Sequence, residues 1–357
     1  MIGPDTAKPF SAVVGLDVSD RKSCYCVVDL AGDIVAEGSL ATREHSMRLH
    51  FEGKPRMRIA MEAGTHSHWL SRLLSQLGHE VIVANARNLR MISESDSKND
   101  KADARMLARL ARVGADLLGP IEHRSEKVQS DLTILRAREV AVTARTKMIN
   151  AVRGLVKQTG ERLPSSPTAT FARKAETACP DCLRMALLPL IRLIERLTEE
   201  IKLYDKIILA KAEKEYPATK MMRTIPGVGA LTALGVVLVM NNDPHRFRKS
   251  RDIGCYFGLR PQQKDSGERS PQLGITKAGD RVMRRIVVQS AHYILGPFGK
   301  VCALRRWGLS IALRGGSNAK KRAIVAVARK LVILMHRLWL NNEPFDPTRG
   351  LPTPAAA

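Results

Sequence analysis

An α/β amino-terminal domain followed by a mostly helical remainder is the fold class that this 357-residue sequence predicts. Three observations carry it. Short apolar runs rich in β-branched residues alternate with turn residues as far as Ala84. Beyond them, apolar residues recur at helical spacing almost to the end of the chain. Charge is lopsided as well: 58 Lys and Arg stand against 35 Asp and Glu, a net charge of +23.

Residues 12–18 (Ala-Val-Val-Gly-Leu-Asp-Val) are an apolar run that reads as a buried strand. Residues 23–29 form a second strand, Ala31-Gly32-Asp33 a turn, and 34–38 a third strand. Residues 57–62 are a fourth, which ends in a carboxylate. Trp69, Leu70, Leu73, Leu74 and Leu77 follow at helical spacing, and Gly78 closes that helix. Residues 80–84 make a fifth strand, and 102–113 a helix whose buried stripe is Met106, Leu107 and Leu110. Three meandering strands, then strand–helix–strand–helix, outline a ribonuclease-H-like domain.

The helical part opens with Val128, Leu135, Val142, Ile149 and Val156, one apolar residue in every seven on a long helix. The Pro- and Ser-rich stretch 163–180 reads as a loop or hinge. Leu187, Leu190, Ile194, Leu197, Ile201, Tyr204 and Ile208 then alternate spacings of three and four. Such a heptad seam packs either inside its own domain or as a coiled coil, within or between chains. Next, Ile225-Pro226-Gly227-Val228-Gly229 runs into the apolar helix 230–240. Pro-Gly-x-Gly between helices resembles a helix-hairpin-helix turn, in which Gly227 and Gly229 let backbone N–H groups approach a phosphate; a plain tight turn is the alternative. The Pro- and Ala-rich tail from Asn341 is expected to be disordered.

Composition narrows the partners. Between Arg281 and Asn342 there are 13 basic residues and no acidic one, in an apolar rhythm that marks folded helices with basic faces. Nucleic acid is the leading partner, ahead of an anionic membrane. With aromatics at only 4%, a platform of stacked rings is not expected. No apolar run approaches the length of a bilayer span, and no secretory signal opens the chain. Six cysteines in a chain of this length fit a reducing cytoplasm. Cys179-Pro180-Asp181-Cys182 has no second pair beside it, so a zinc site is not expected.

Four carboxylates stand out. Asp17 lies inside the first strand, where an unpartnered charge is costly to bury. Glu62 ends the fourth strand, and Asp100 and Asp103 share one face of a helix. The Asp pair has a bland alternative, capping that helix. Taken together, four like charges converge only around cations, and oxygen donors select a hard ion such as Mg²⁺. Two such ions about 3.5–4 Å apart suit in-line phosphoryl displacement.

An ordered set of short motifs now resembles the DEDD transposases of the insertion-sequence-110 family, which includes the Piv-type DNA invertases. In the amino-terminal half they are Val14-Gly15-Leu16-Asp17-Val18, Ala60-Met61-Glu62-Ala63 and Asn99-Asp100-Lys101-Ala102-Asp103-Ala104. In the carboxy-terminal half they are Ile225-Pro226-Gly227-Val228-Gly229, Phe257-Gly258-Leu259, Ser266-Gly267-Glu268 and Gly274-Ile275-Thr276-Lys277-Ala278-Gly279-Asp280. The resemblance implies a RuvC-like catalytic domain with a trailing long helix (1–158), a coiled-coil region (159–216), a transposase domain (217–345) and a disordered tail (346–357). It makes Asp17, Glu62, Asp100 and Asp103 the metal-binding tetrad and implies a serine nucleophile. Ser266 is the best match and Ser270 the second. Thr276 stands where the family commonly has serine.

Arg260, Lys264, Arg269 and Lys277 are then phosphate clamps or ordinary surface charge. The family further implies a noncoding bridge RNA that pairs with donor and target DNA, and assembly into dimers and tetramers. The expected function is site-specific recombination through a phosphoserine ester, in the cytoplasm and on the nucleoid. Two other readings remain: a RuvC-like endonuclease without a covalent intermediate, and a noncatalytic nucleic-acid-binding protein.

Overall fold

The computed structural model describes residues 9–86, 99–263, 266 and 273–348. The chain divides into two compact units, Met1–Arg124 and Ser125–Ala357.

The first unit is built on a mixed five-stranded sheet in the order β3-β2-β1-β4-β5. Its strands are β1 (Val13–Asp17), β2 (Lys22–Val28), β3 (Ile34–Ala41), β4 (Arg58–Glu62) and β5 (Glu80–Ala84). The first three form an antiparallel meander, while β1, β4 and β5 run parallel. Parallel neighbours need a crossover, and two helices lie between β3 and β5 in the chain: α1 (Glu44–Phe51) and α2 (Ser67–Gln76). Alternation then sorts the strand residues. Val14, Leu16, Ile59, Met61 and Val83 face one way and pack on Met47, Phe51, Leu70 and Leu74 of α1 and α2. Val13, Cys24, Cys26, Ala60 and Ala84 face the other way, against Ala104, Leu107, Ala108 and Ala111 of α3 (Asp100–Val113). The α/β expectation holds for this unit.

The second unit is helical. Its helices are α4 (Glu126–Lys157), α5 (Phe171–Thr177), α6 (Asp181–Lys214), α7 (Ala218–Met222), α8 (Ala230–Val239), α9 (Ser250–Tyr256), α10 (Arg281–Leu295), α11 (Ala303–Ala312) and α12 (Ala319–Asn341). Helices α4 and α6 lie antiparallel along each other. Val128, Leu132 and Leu135 share a core with Ile208, Ala212 and Tyr216, and Ile149, Val152 and Val156 share one with Leu187, Ile191 and Ile194. The heptad seam is therefore covered within the chain. That packing groups α4 with the second unit, although the motif pattern attached it to the first.

A buried carboxylate staples the pair. Asp131 is only 5% exposed. It accepts hydrogen bonds from Tyr216 Oη at 2.5 Å and Lys127 Nζ at 3.2 Å, and pairs with Lys211 Nζ at 2.8 Å. Burial favours its neutral form, but these donors outweigh burial and hold its pKa below the ordinary carboxylate value.

Two expectations need correction. The 163–180 stretch is not a plain loop, because Phe171, Ala172 and Ala175 of α5 bury against α4 and α6. Nor does the chain lose order at Asn341. Helix α12 runs to that residue, Phe345 packs on the main core, and its backbone N–H donates to Thr224 Oγ1 at 2.8 Å. Residues 349–357 lie outside the described residues. No helix among the described residues is long and apolar enough to cross a membrane.

Candidate active site

Asp17 and Glu62 end neighbouring parallel strands. Leu16 stands beside Met61 in the register, and each acid is the next residue along its strand. Alternation turns both toward the α3 face, because Gly15 and Ala60, two residues back, lie on that side. Helix α3 lies directly on β1. A Cβ at Gly15 would come within 2.0 Å of the Ala104 carbonyl oxygen and 2.4 Å of the Ala108 nitrogen. Ala104, Ala108 and Ala111 are small enough to allow that approach.

The first turn of α3 carries Asp100 and Asp103. They do not cap the helix: Asn99 does, its side chain accepting from Lys101 N at 3.0 Å. First-turn carboxylates still gain from the helix dipole. Strand β2 shows how near this turn comes to Asp17. Cys24, paired in register with Asp17, has its thiol pKa raised first by burial, then by the charges of Asp100 and Asp17. Burial and the two carboxylates thus favour the protonated form of this thiol. Glu62 and Asp100 are exposed, while Asp17 and Asp103 are half-buried.

The four acids share one face and one end of the sheet, yet they are not drawn to a point. Among the described residues, no three His, Cys, Asp or Glu side chains close into a group that could hold a metal ion. Like charges repel, so carboxylates by themselves have no reason to crowd further. Beside them, His66 Nε2 lies 3.3 Å from Asp20 Oδ1, and Trp69 Nε1–H donates to His66 Nδ1 at 3.1 Å. That donation leaves Nε2 to carry the ring proton toward Asp20. Nothing in the local sequence singles out this pair, and the same is true of Gly15 as a close-packing point, whereas Asn99 before an acid-bearing first turn is an ordinary cap signal.

In the second unit, Ser266 is exposed. The chain on either side of it is tied into an antiparallel stem. Pro261 bridges Ile275, Gln262 N donates to Gly274 O at 2.8 Å, and Thr276 N donates to Arg260 O at 2.9 Å. Glycines let this stem close: Gly258 (φ +66°) leaves no room for a Cβ, which would lie 2.2 Å from Ala278 O. Asp280 caps α10 through Val282 N and Met283 N, and Arg284 donates to Ala278 O at 2.6 Å. The Gly-Ile-Thr-Lys-Ala-Gly-Asp motif therefore builds the stem and starts a helix.

Lys277 is exposed with a left-handed φ of +54°, and Arg260 is exposed and hydrogen-bonds Gln263. Lys264, Arg269 and Ser270 lie outside the described residues. Gly227 (φ +88°) follows Pro226 in a tight turn closed by Val228 N donating to Ile225 O at 3.0 Å. A Cβ there would meet Tyr293 at 2.9 Å, while one at Gly229 would meet open space ahead of α8. Short α7, this turn and α8 follow one another in the chain.

Comparison with known proteins gives this arrangement its context. Residues 14–161 match a family model described as transposase, and residues 219–297 match one described as the transposase IS116/IS110/IS902 family. The transposase for insertion sequence element IS1328 of Yersinia enterocolitica is 30% identical over 65% of this chain and 69% of its own. The transposase for IS1111A of Coxiella burnetii is 26% identical over 93% of this chain and 91% of its own. A pilin gene-inverting protein of Moraxella lacunata is 29% identical over 40% of this chain and 42% of its own. The chain belongs to the IS116/IS110/IS902 family of transposases, enzymes of DNA transposition and recombination.

Proposed function

We propose that this transposase cuts and rejoins DNA through a phosphoserine ester on Ser266, with a divalent cation held by Asp17, Glu62, Asp100 and Asp103. The observation that carries the reading is the gathering of all four acids at one end of one sheet face, in a chain of a transposase family. The strand order and helix placement support a RuvC-like fold for this unit.

The donor set of four carboxylates fits a hard cation. A bound ion such as Mg²⁺ would supply positive charge against the charge that develops on the phosphoryl oxygens. Everything else falls to the chain. Ser266 Oγ attacks phosphorus and gives its proton to water or a carboxylate. The bond to one deoxyribose oxygen breaks, and that oxygen departs as a hydroxyl. A hydroxyl of the recombining strand later attacks the ester, which restores the serine without ATP. The exposure of Ser266 gives it access to a DNA strand, and Gly227, Gly229, Arg260 and Lys277 offer backbone N–H groups and cations for phosphates. Lys264 and Arg269 join that set by motif.

Base pairing with a bridge RNA would let the protein read backbone and shape, and the net charge of +23 supports binding of either nucleic acid. Self-association into dimers and tetramers belongs to the same reading. So does the functional division at 1–158, 159–216, 217–345 and 346–357.

The test is a suicide substrate that traps the ester. Wild-type protein should stay covalently attached to DNA, and Ser266→Ala should not. Cleaved ends free of protein from wild type would favour an endonuclease and overturn the serine ester. Adduct formation undiminished in Ser266→Ala would move the nucleophile elsewhere, with Ser270 next.

A further inference from the structure

A groove of about 1360 Å³ lies among α9, α11, α12 and the segment 343–346, wholly within the second unit. Its apolar lining includes Leu304, Trp307, Leu334, Leu338 and Phe345. Four exposed cations edge it: Lys249 and Arg251 from the start of α9, Lys330 and Arg337 from α12. The acids Glu343 and Asp346 are confined to the segment that follows α12.

The walls are tied together. His336 of α12 is fully buried, its Nε2 lies 2.6 Å from Pro244 O, and its Nδ1 lies 2.9 Å from Ser250 Oγ. A ring nitrogen facing a carbonyl must carry the proton, so Nε2 donates and Nδ1 accepts from the serine hydroxyl. This locks the start of α9, with Lys249 and Arg251, to α12. On another side, Phe345 is pinned through its backbone to Thr224. Lys330 Nζ sits 4.2 Å above the Trp307 ring, which places a cation and an aromatic face together.

We propose that this groove binds a short run of unpaired DNA, with phosphates along Lys249, Arg251, Lys330 and Arg337 and one base against Trp307. Single-stranded DNA repeats the two features the groove offers to bind: an anionic group in every nucleotide and a flat apolar face on every base. A duplex hides those faces in its stack. Glu343 and Asp346 repel phosphates from their side and so assign the backbone to the basic one. The volume exceeds the roughly 300–1,000 Å³ of pockets for single small ligands, so more than one nucleotide fits. One tryptophan makes a site for one base, in keeping with a chain whose aromatics are 4%. The proposal rests on the reading that the chain cuts and rejoins DNA, since strands are unpaired while they are exchanged.

The test measures binding of full-length protein to a labelled 12-nucleotide single-stranded DNA, the matching duplex and the matching RNA. Trp307→Ala should weaken the single-stranded DNA about tenfold and the duplex less than about twofold. Trp307→Phe should restore most of the affinity. Because Trp307 is partly buried, Lys249→Gln with Arg251→Gln gives a second, exposed variant. It should lower the salt slope for single-stranded DNA by about 0.7 for each phosphate no longer neutralised. Equal weakening for single strand and duplex, no weakening in either variant, or an effect confined to RNA would each overturn the assignment. Wild-type protein that binds no DNA at all would instead defeat the underlying recombinase reading.

Discussion

Asp17 and Glu62 stand on neighbouring strands in one register, with Asp100 and Asp103 on a helix packed against them, whereas Ser266 is an exposed residue in the chain between the two arms of a short antiparallel stem. The carboxylates inherit their places from backbone hydrogen bonds and from a helix that touches β1 without an intervening side chain. The serine inherits its place from a short stem and two glycines, Gly258 and Gly279, with positive φ. On the proposed function the carboxylates share a cation and must keep a constant mutual geometry, which strands held in register supply. The proposed nucleophile forms and breaks a bond to a large substrate and must be reachable, which the exposure of Ser266 supplies. The difference between the two regions is thus one of rigidity against access.

Removing one carboxylate tests the rigid side most severely. Asp17→Asn keeps shape and loses charge, and recombination should fall on the order of 10³-fold. Full recombination in a cell-based assay would break the comparison outright. Next in size is Gly15→Ala. Its methyl would press on backbone atoms of α3 at 2.0 Å, where no rotamer change helps. Overpacking of this kind costs about 1–3 kcal/mol, read as a lowered thermal midpoint with lower recombination. An unchanged midpoint would show that α3 is not seated on β1.

Gly258→Ala makes the matching change on the serine side. Left-handed backbone costs a non-glycine residue about 1–2 kcal/mol, and the clash with Ala278 adds to it. The trapped adduct should fall about tenfold or more, with stability of the first unit unchanged. Loss of adduct and first-unit stability together would erase the distinction between the two regions.

The smallest effect is acid sensitivity in the first unit. His123 shares a hydrogen bond with Ser67 Oγ at 2.9 Å, and its ring lies tilted beside that of His68 with centroids 3.9 Å apart. Burial, with help from His68, Arg72 and Arg124, pushes its pKa down to about 4 from 6.5. Between those values the unfolded chain holds a proton that the folded chain refuses, so stability falls as pH drops from 6.5 toward 4. His123→Gln should flatten that decline in denaturant titrations at about pH 7 and about pH 5. An equally steep decline in the variant would assign it to other groups.

How much is legible in the sequence varies with how local the cause is. Strand β5 coincides with its expected span, because Val81 to Ala84 are apolar between clear turn signals. Strand β3 runs to Ala41, beyond the expected end at Gly38. That glycine looks like a stop, but it pairs with Tyr25, and a Cβ there would come within 2.7 Å of the Tyr25 hydroxyl. The ring across the strand supplies the packing that glycine lacks. Helix α1 is not legible, because eight residues with two buried side chains, Met47 and Phe51, give too short a period. Helix α5 is hidden by prolines on either side of it.

The heptad seam is plainly apolar, yet its spacing does not say whether α4 or another chain covers it. At the site, Asp17, Glu62, Asp100 and Asp103 are visible in the sequence as charges in unusual places. The closeness allowed by Gly15 is not, since it depends on what lies opposite.

By itself the sequence determined composition, period and motif order: the strand runs that end in Asp17 and Glu62, the basic carboxy-terminal helices and the family. Only the tertiary structure decided that β4 lies beside β1 in parallel register, that α3 covers that pair through Gly15, and that cations from α9 and α12 edge a common groove. Hydrogen-bond geometry and side-chain periodicity act between near neighbours along the chain. Which distant segments meet follows from burying all apolar faces at once, and no short window of sequence contains that information.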